Sequence, residues 1–208
     1  MYRDMQRRAQ NKAMKVETKQ RITPTKALGH LKTINHHRYL VCRECFRVGL
    51  YRQGLTHDLS KYSPTEFLVG ARYFTGKESP NNGERRAKGY SASWLHHKGR
   101  NRHHYEYWVD YPKHPSGTPH YVPVKMPGRF VVEMFCDRVA ACKVYHGDSY
   151  KDSDPLEYYR RGMAPAFMHP QTAALLEKLL VMLKEKGEDA TYDYIRSHLK
   201  KRPLFRKR

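Results

Sequence analysis

Apolar residues recur every three or four positions over several stretches of the chain, which places them on one face of an α-helix. The first stretch covers residues 25–53 and stops at Gly54, a residue type that often ends helices. Its apolar positions include Leu28, Leu31, Ile34, Leu40, Val41, Cys45 and Val48. The pattern predicts one long amphipathic helix with this face buried.

Further helix signals follow along the chain. Ser63 precedes Pro64, and Glu66 stands three residues after the serine, a pattern typical of a capped helix start. This helix is predicted to run to about Tyr73. Other helices are predicted over residues 93–108, 129–145, 156–161, 170–186 and 190–199, with loops over 75–90 and 111–128. No alternating pattern predicts a sheet, so the predicted fold class is all-α.

Positive charge is concentrated at the two ends of the chain. The 208 residues carry 40 Lys and Arg against 20 Asp and Glu, a formal net charge of +20. Because like charges at this density repel, we predict solvated basic tails over residues 1–22 and 200–208 around one helical domain at 23–199. The tails could hold nucleic acid through counterion release, or they could confer solubility alone.

The composition and the N-terminal residues indicate where the protein is expected to be located and in which state its cysteines are expected to be. A hydrophobic share of 39% excludes a disordered chain, and no apolar run is long enough to cross a membrane. The N-terminal residues lack the apolar segment of a secretory signal, so we expect a cytoplasmic protein without a membrane partner. In that reducing compartment the four cysteines are expected to be packed thiols, because the CxxC of Cys42 and Cys45 has no matching second pair.

Histidine carries the clearest chemical signal. The chain has 13 histidines, and its most specific stretch is His57-Asp58-Leu59-Ser60-Lys61. An imidazole beside a carboxylate suits a divalent transition metal such as Mn, Fe, Zn, Ni or Co. Two ligands do not hold a catalytic ion, so others must come from elsewhere. The candidates are His37, on the apolar face of the first helix, and Asp137, an acid among apolar neighbours that needs a buried partner.

A histidine on one helix, then a His-Asp pair, then an aspartate on a later helix resembles the HD superfamily of metal-dependent phosphohydrolases. More narrowly, the chain is similar to a small uncharacterised family of bacteria and their phages over roughly residues 25–185. That likeness is carried by the run from Gln53 to Phe67, by Trp94-Leu95-His96-His97, by Asn101-Arg102-His103-His104, and by His169-Pro170. The resemblance implies an HD-like helical bundle.

The resemblance also implies roles for individual residues. His37, His57, Asp58 and Asp137 would bind one metal ion, Asp58 would also orient the attacking water, and Lys61 would approach the substrate phosphate. HD phosphodiesterases with more than one metal add histidines between the His-Asp pair and the last aspartate. His97, with His103 or His104, occupies that interval, so a second ion is an open alternative.

The predicted function is therefore a phosphomonoesterase or phosphodiesterase that acts on a nucleotide or a related phosphate ester. Arg100 and Arg102 are candidate clamps for the anionic part of the substrate, with ordinary surface charge as the alternative. Tyr62, Trp94 and Trp108 could stack on a base, although packing in the core is favoured. The competing class is a nucleic-acid-binding protein with a non-catalytic HD-like core and basic tails. Substrate identity and oligomeric state stay open.

Overall fold

The computed structural model describes residues 20–113, 121–162 and 164–201. Over these residues the all-α prediction is confirmed, since nine α-helices and three short 3-10 helices are accompanied by one two-stranded hairpin. The helices are α1 (Pro24–Arg47), α2 (Tyr51–Thr56), α3 (Pro64–Tyr73), α4 (Pro80–Lys88), α5 (Ala92–Arg100), α6 (Gly128–His146), α7 (Asp154–Arg161), α8 (Ala164–Phe167) and α9 (Pro170–Lys201). Strands β1 (Val109–Asp110) and β2 (Val122–Pro123) pair antiparallel, with Val109 opposite Pro123. Most of both predicted tails lies outside the described residues.

The chain divides into two compact units. Within the described residues, the first unit contains 20–36 together with Asp58–Arg100. The second contains His37–His57 together with the described part of 101–201. The division therefore falls inside α1 and again between His57 and Asp58. The single domain predicted over residues 23–199 stays a prediction.

In the first unit, α3 packs against α4 and α5. Two glycines allow close approach between helices there. A Cβ on Gly83 of α4 would lie 3.0 Å from the Cβ of Tyr73, and a Cβ on Gly70 of α3 would lie 2.0 Å from Nε2 of His30. The absence of a side chain at these positions thus sets how closely the helices pack.

In the second unit, α9 packs against α6 and α7. The core includes the second half of α1, through Leu40, Val41, Cys45 and Val48, and the α9 leucines Leu176, Leu179, Leu180 and Leu183. Phe135 and Val139 of α6 are completely buried among them. All four cysteines of the chain are free thiols, and three are buried. None of the described helices has the length and apolar character needed to cross a bilayer.

Several predicted helices are confirmed, but three boundaries are wrong. The first helix ends at Arg47, because Gly49 adopts a left-handed conformation with φ of 82°. Gly54 is not a C-cap: it lies inside α2, where a Cβ would come within 3.0 Å of the Cys45 Cβ. Residues 75–90 are not all loop, since α4 begins after Ser79 and ends at Gly89, whose φ is 83°.

The third wrong boundary concerns the helix predicted over residues 93–108. Helix α5 ends at Arg100, and a separate 3-10 turn covers Tyr105–Tyr107. His103, His104 and Trp108 therefore lie outside the helix that was predicted to contain them. Helix α9 covers both helices predicted near the C-terminus and is kinked between them at Gly187, whose φ is 78°.

Candidate metal centre

Three of the four predicted ligands come together in the second unit. His37 lies on α1, His57 directly follows α2, and Asp137 lies on α6. The Nε2 atom of His37 is 3.0 Å from Oδ1 of Asp137, and Nε2 of His57 is 3.5 Å from the same oxygen. Their ligand atoms all lie within 4.8 Å of one another, so these side chains could hold a metal ion.

Local structure explains how His57 reaches this position. Helix α2 ends at Thr56, and His57 continues with an extended ψ of 127°, which turns its ring into the interior. The guanidinium of Arg38 holds the backbone there. Its Nε donates to the carbonyl of His57 at 2.8 Å, and a terminal nitrogen donates to the carbonyl of Leu55 at 3.1 Å. His57 is consequently only 2% exposed.

Glu133 provides a second carboxylate one helical turn before Asp137. Its Oε1 lies 3.1 Å from Nδ1 of His57 and 3.2 Å from Nδ1 of His103. The three side chains are buried and could themselves hold an ion. A carboxylate on Nδ1 is also the usual partner of a metal-binding histidine, because it fixes the ring and directs Nε2 toward the metal.

Both carboxylates of α6 are anionic at neutral pH. Burial by itself raises the pKa of Asp137, but hydrogen bonds with His37 and His57 outweigh it and hold that pKa well below its ordinary value. Burial likewise raises the pKa of Glu133, and hydrogen bonds with His103 and His57 lower it. Two negative charges held among imidazoles suit a divalent cation.

Asp58, the fourth predicted ligand, follows His57 in the chain and belongs to the first unit. Its Oδ2 lies 2.8 Å from the Lys61 ammonium, and its Oδ1 lies 3.3 Å from Nε2 of His97. Asp58 has a φ of 53°, the one positive φ outside glycine among the described residues. A strained backbone at a buried charged residue is typical of functional sites.

Glu66 does not play the capping role predicted for it. Ser63 makes no side-chain capping bond, and the Glu66 carboxylate turns instead to two histidines. Its Oε1 is 2.6 Å from Nδ1 of His96, and its Oε2 is 2.7 Å from Nδ1 of His97. Burial raises the pKa of Glu66, and hydrogen bonds with His97 and His96 lower it below the ordinary value.

The remaining predicted site residues are spread over both units. His97 lies in the first unit, whereas His104 lies in the second with its ring 4.1 Å from that of His103. The second metal ion stays a prediction. Arg100 and Arg102 are exposed, so their predicted role as clamps also stays open.

The aromatic residues near the histidines pack against protein neighbours. Trp94 stacks on His97 at 5.5 Å between ring centroids. Trp108 packs against Phe130 at 5.7 Å. The hydroxyl of Tyr62 donates to Asn35 at 2.6 Å. His169 accepts from the backbone of Gln171 through Nδ1, so it caps α9.

Sequence reasoning missed Glu133, Glu66 and Arg38. Glu133 had a usable signal, since an acid four residues before Asp137 shares its helix face. Glu66 was hidden by the capping pattern that it completes. Arg38 gave no signal, because a hydrogen bond to a backbone carbonyl has no sequence motif.

A family model matches most of the chain. The model of a family of unknown function, DUF5662, matches residues 26–182 of the chain. No curated protein and no solved structure matches the chain.

Proposed function

The chain belongs to the DUF5662 family of unknown function, and from its site we propose that it is a metal-dependent phosphohydrolase acting on a nucleotide or a related phosphate ester. The convergence of His37, His57 and Asp137 carries this proposal. Two imidazole nitrogens and a carboxylate favour Mn, Fe, Zn, Ni or Co over Mg. Asp58 is proposed as the fourth ligand from its place beside His57 in the chain.

An ion in this centre would polarise a phosphoryl oxygen and lower the pKa of a water, the chemistry that phosphate-ester hydrolysis requires. The protein residues have separate tasks. Glu133 orients the ring of His57, and Asp137 keeps a negative charge between two imidazoles. Asp58 would orient the attacking water, and Lys61 would offset negative charge on the phosphate, as the resemblance to HD enzymes implies.

Metal analysis of the purified protein, paired with a panel of nucleotides and phosphate esters, tests the proposal. We expect a bound transition metal and a hydrolytic activity that EDTA removes and Mn²⁺ restores. His37→Gln should abolish both. The matched control is His36→Gln, because His36 is the adjacent histidine but is exposed. A protein that neither contains nor takes up a transition metal would contradict the proposal.

The competing class, a nucleic-acid-binding protein, is supported by the net charge of +20. Binding to nucleic acid that falls steeply with salt would favour it, provided that EDTA has no effect. Removal of residues 1–22 and 200–208 should then abolish that binding. A phosphohydrolase would keep its activity after the same truncation.

A further inference from the structure

Arg138 directly follows Asp137 on α6 and has an unusual environment. It is half-buried, and its Nε is buried without a hydrogen-bond partner. Within the described residues, no carboxylate pairs with its guanidinium. Among the described residues its close partner is an aromatic face, since the guanidinium carbon lies 5.6 Å from the ring centroid of Tyr159.

Other arginines of the second unit show how such a charge is usually compensated. Arg47 binds Glu44, Glu188 and Asp189, and Arg160 binds Glu177 at 2.9 Å. Partial burial of an arginine removes part of its hydration, which is costly unless an anion replaces the water. Arg138 is partly buried, yet the described residues supply no such anion.

The position of Arg138 relates it to the candidate metal centre. Glu133 and Asp137 form one ridge of α6, because they are four residues apart, and Phe130 and Arg138 belong to the adjacent ridge. Residues 103–108 lie along both ridges: His103 binds Glu133, and Trp108 packs on Phe130. Arg138 therefore lies on the ridge next to the metal-binding one.

The Arg138 charge also acts on Tyr105, in the segment that starts at His103. Burial raises the pKa of the Tyr105 phenol to about 12, and the Arg138 charge acts on it in the opposite direction. Glu106, the acidic residue of this segment, hydrogen-bonds with Tyr105. The Oε2 atom of Glu106 is buried without a hydrogen-bond partner among the described residues, so Glu106 forms no ion pair with Arg138 either.

We propose that Arg138 binds the phosphate group of the substrate, an inference that rests on the proposed function. A guanidinium offers parallel N–H donors that match two phosphate oxygens. Stacking on Tyr159 fixes the plane of the group and leaves its edge for a ligand. The substrate's phosphate would then supply the negative charge that Arg138 lacks, next to the candidate metal ligand Asp137.

Inorganic phosphate is the probe for this inference, with binding measured by calorimetry on the full chain in Mn²⁺ and again after EDTA. We expect Arg138→Gln to weaken phosphate binding in Mn²⁺ by at least about tenfold, the range for charged hydrogen bonds. The Mn²⁺ affinity and the melting temperature should stay close to the original values. Arg160→Gln, which removes an arginine from a surface ion pair, should change none of the three.

A second variant covers the case in which Arg138→Gln does not fold. Arg138→Lys keeps the charge but loses the two-pronged donor, so phosphate binding should still weaken by about threefold or more. Unchanged phosphate affinity in a folded variant, or no phosphate binding by the original protein, would overturn the inference. If the original protein does not bind Mn²⁺, the result would instead count against the proposed function.

Discussion

The Nδ1 atom of His57 lies 3.1 Å from Oε1 of Glu133, a residue one helical turn before Asp137. A neutral His57 therefore carries its proton on Nδ1 and presents the lone pair of Nε2, which lies 3.5 Å from Oδ1 of Asp137. One helix thus supplies both the carboxylate that orients the His57 ring and the carboxylate that lies beside its metal-binding nitrogen.

Replacing Glu133 tests this orienting role. Glu133→Gln should weaken binding of Zn²⁺ or Mn²⁺ by roughly 10- to 100-fold, the usual effect of losing a carboxylate behind a histidine ligand. Competition titration against a chelator measures the effect. Glu177→Gln is the matched control, since Glu177 forms only a surface ion pair with Arg160. Equal metal affinity in the two variants would show that Glu133 does not position His57.

Arg38 is expected to position the same histidine from the backbone side. Arg38→Met removes the two hydrogen bonds to the carbonyls of His57 and Leu55, so His57 should lose its fixed orientation. We expect metal affinity to fall by about tenfold or more, since even one hydrogen bond from a charged donor contributes about 1.5–3 kcal/mol. Arg52→Met, a change at an exposed arginine of α2, should leave affinity unchanged. A fall of similar size in both variants would exclude a specific role for Arg38.

Gly70 should tolerate no side chain. Its Cβ would lie 2.0 Å from Nε2 of His30, and that ring is packed against Phe67 and Phe74 at 5.5 and 5.9 Å between centroids. Gly70→Ala is therefore expected to lower the free energy of unfolding by roughly 1–3 kcal/mol, the cost of overpacking. Urea denaturation measures the change.

The matched control for this substitution lies on α5. No heavy atom would be within 4 Å of a Cβ on Gly99. Because alanine favours helix more than glycine does, Gly99→Ala should raise the free energy of unfolding by up to about 1 kcal/mol. A stabilising Gly70→Ala would mean that the His30 ring moves aside at little cost.

His30 should make stability depend on pH. Burial, with a contribution from the Lys61 charge, lowers the pKa of His30 from 6.5 to about 4. The unfolded chain therefore takes up a proton near pH 6.5, whereas the folded protein does so only near pH 4. Stability is fully present above pH 6.5 and should fall by roughly 3 kcal/mol as the pH drops to about 4.

A variant separates this histidine from the other titrating groups. His30→Gln should flatten the decline in unfolding free energy between pH 6.5 and 4, measured by urea denaturation at each pH. His36→Gln replaces an exposed histidine of the same helix and should keep the decline. If both variants lose stability with pH as the original protein does, burial of His30 is not its source.

Periodicity along the chain was enough to predict the helices that bury a continuous apolar face. The α6 and α7 predictions agree with the structure to within a few residues. It failed for α4, where Pro80-Asn81-Asn82-Gly83 has the composition of a turn. In that helix Gly83 serves close packing against Tyr73, a contact that no local pattern contains.

Residue type and helical periodicity are local properties, and they were enough to predict the all-α class and to name His37, His57 and Asp137. The contacts of these residues emerge only when the helices pack: Asp137 faces both imidazoles, Glu133 orients His57, and Glu66 turns to His96 and His97 instead of capping a helix. Such contacts depend on the angle and separation at which helices pack. Those are set by the summed burial of many side chains and not by any motif.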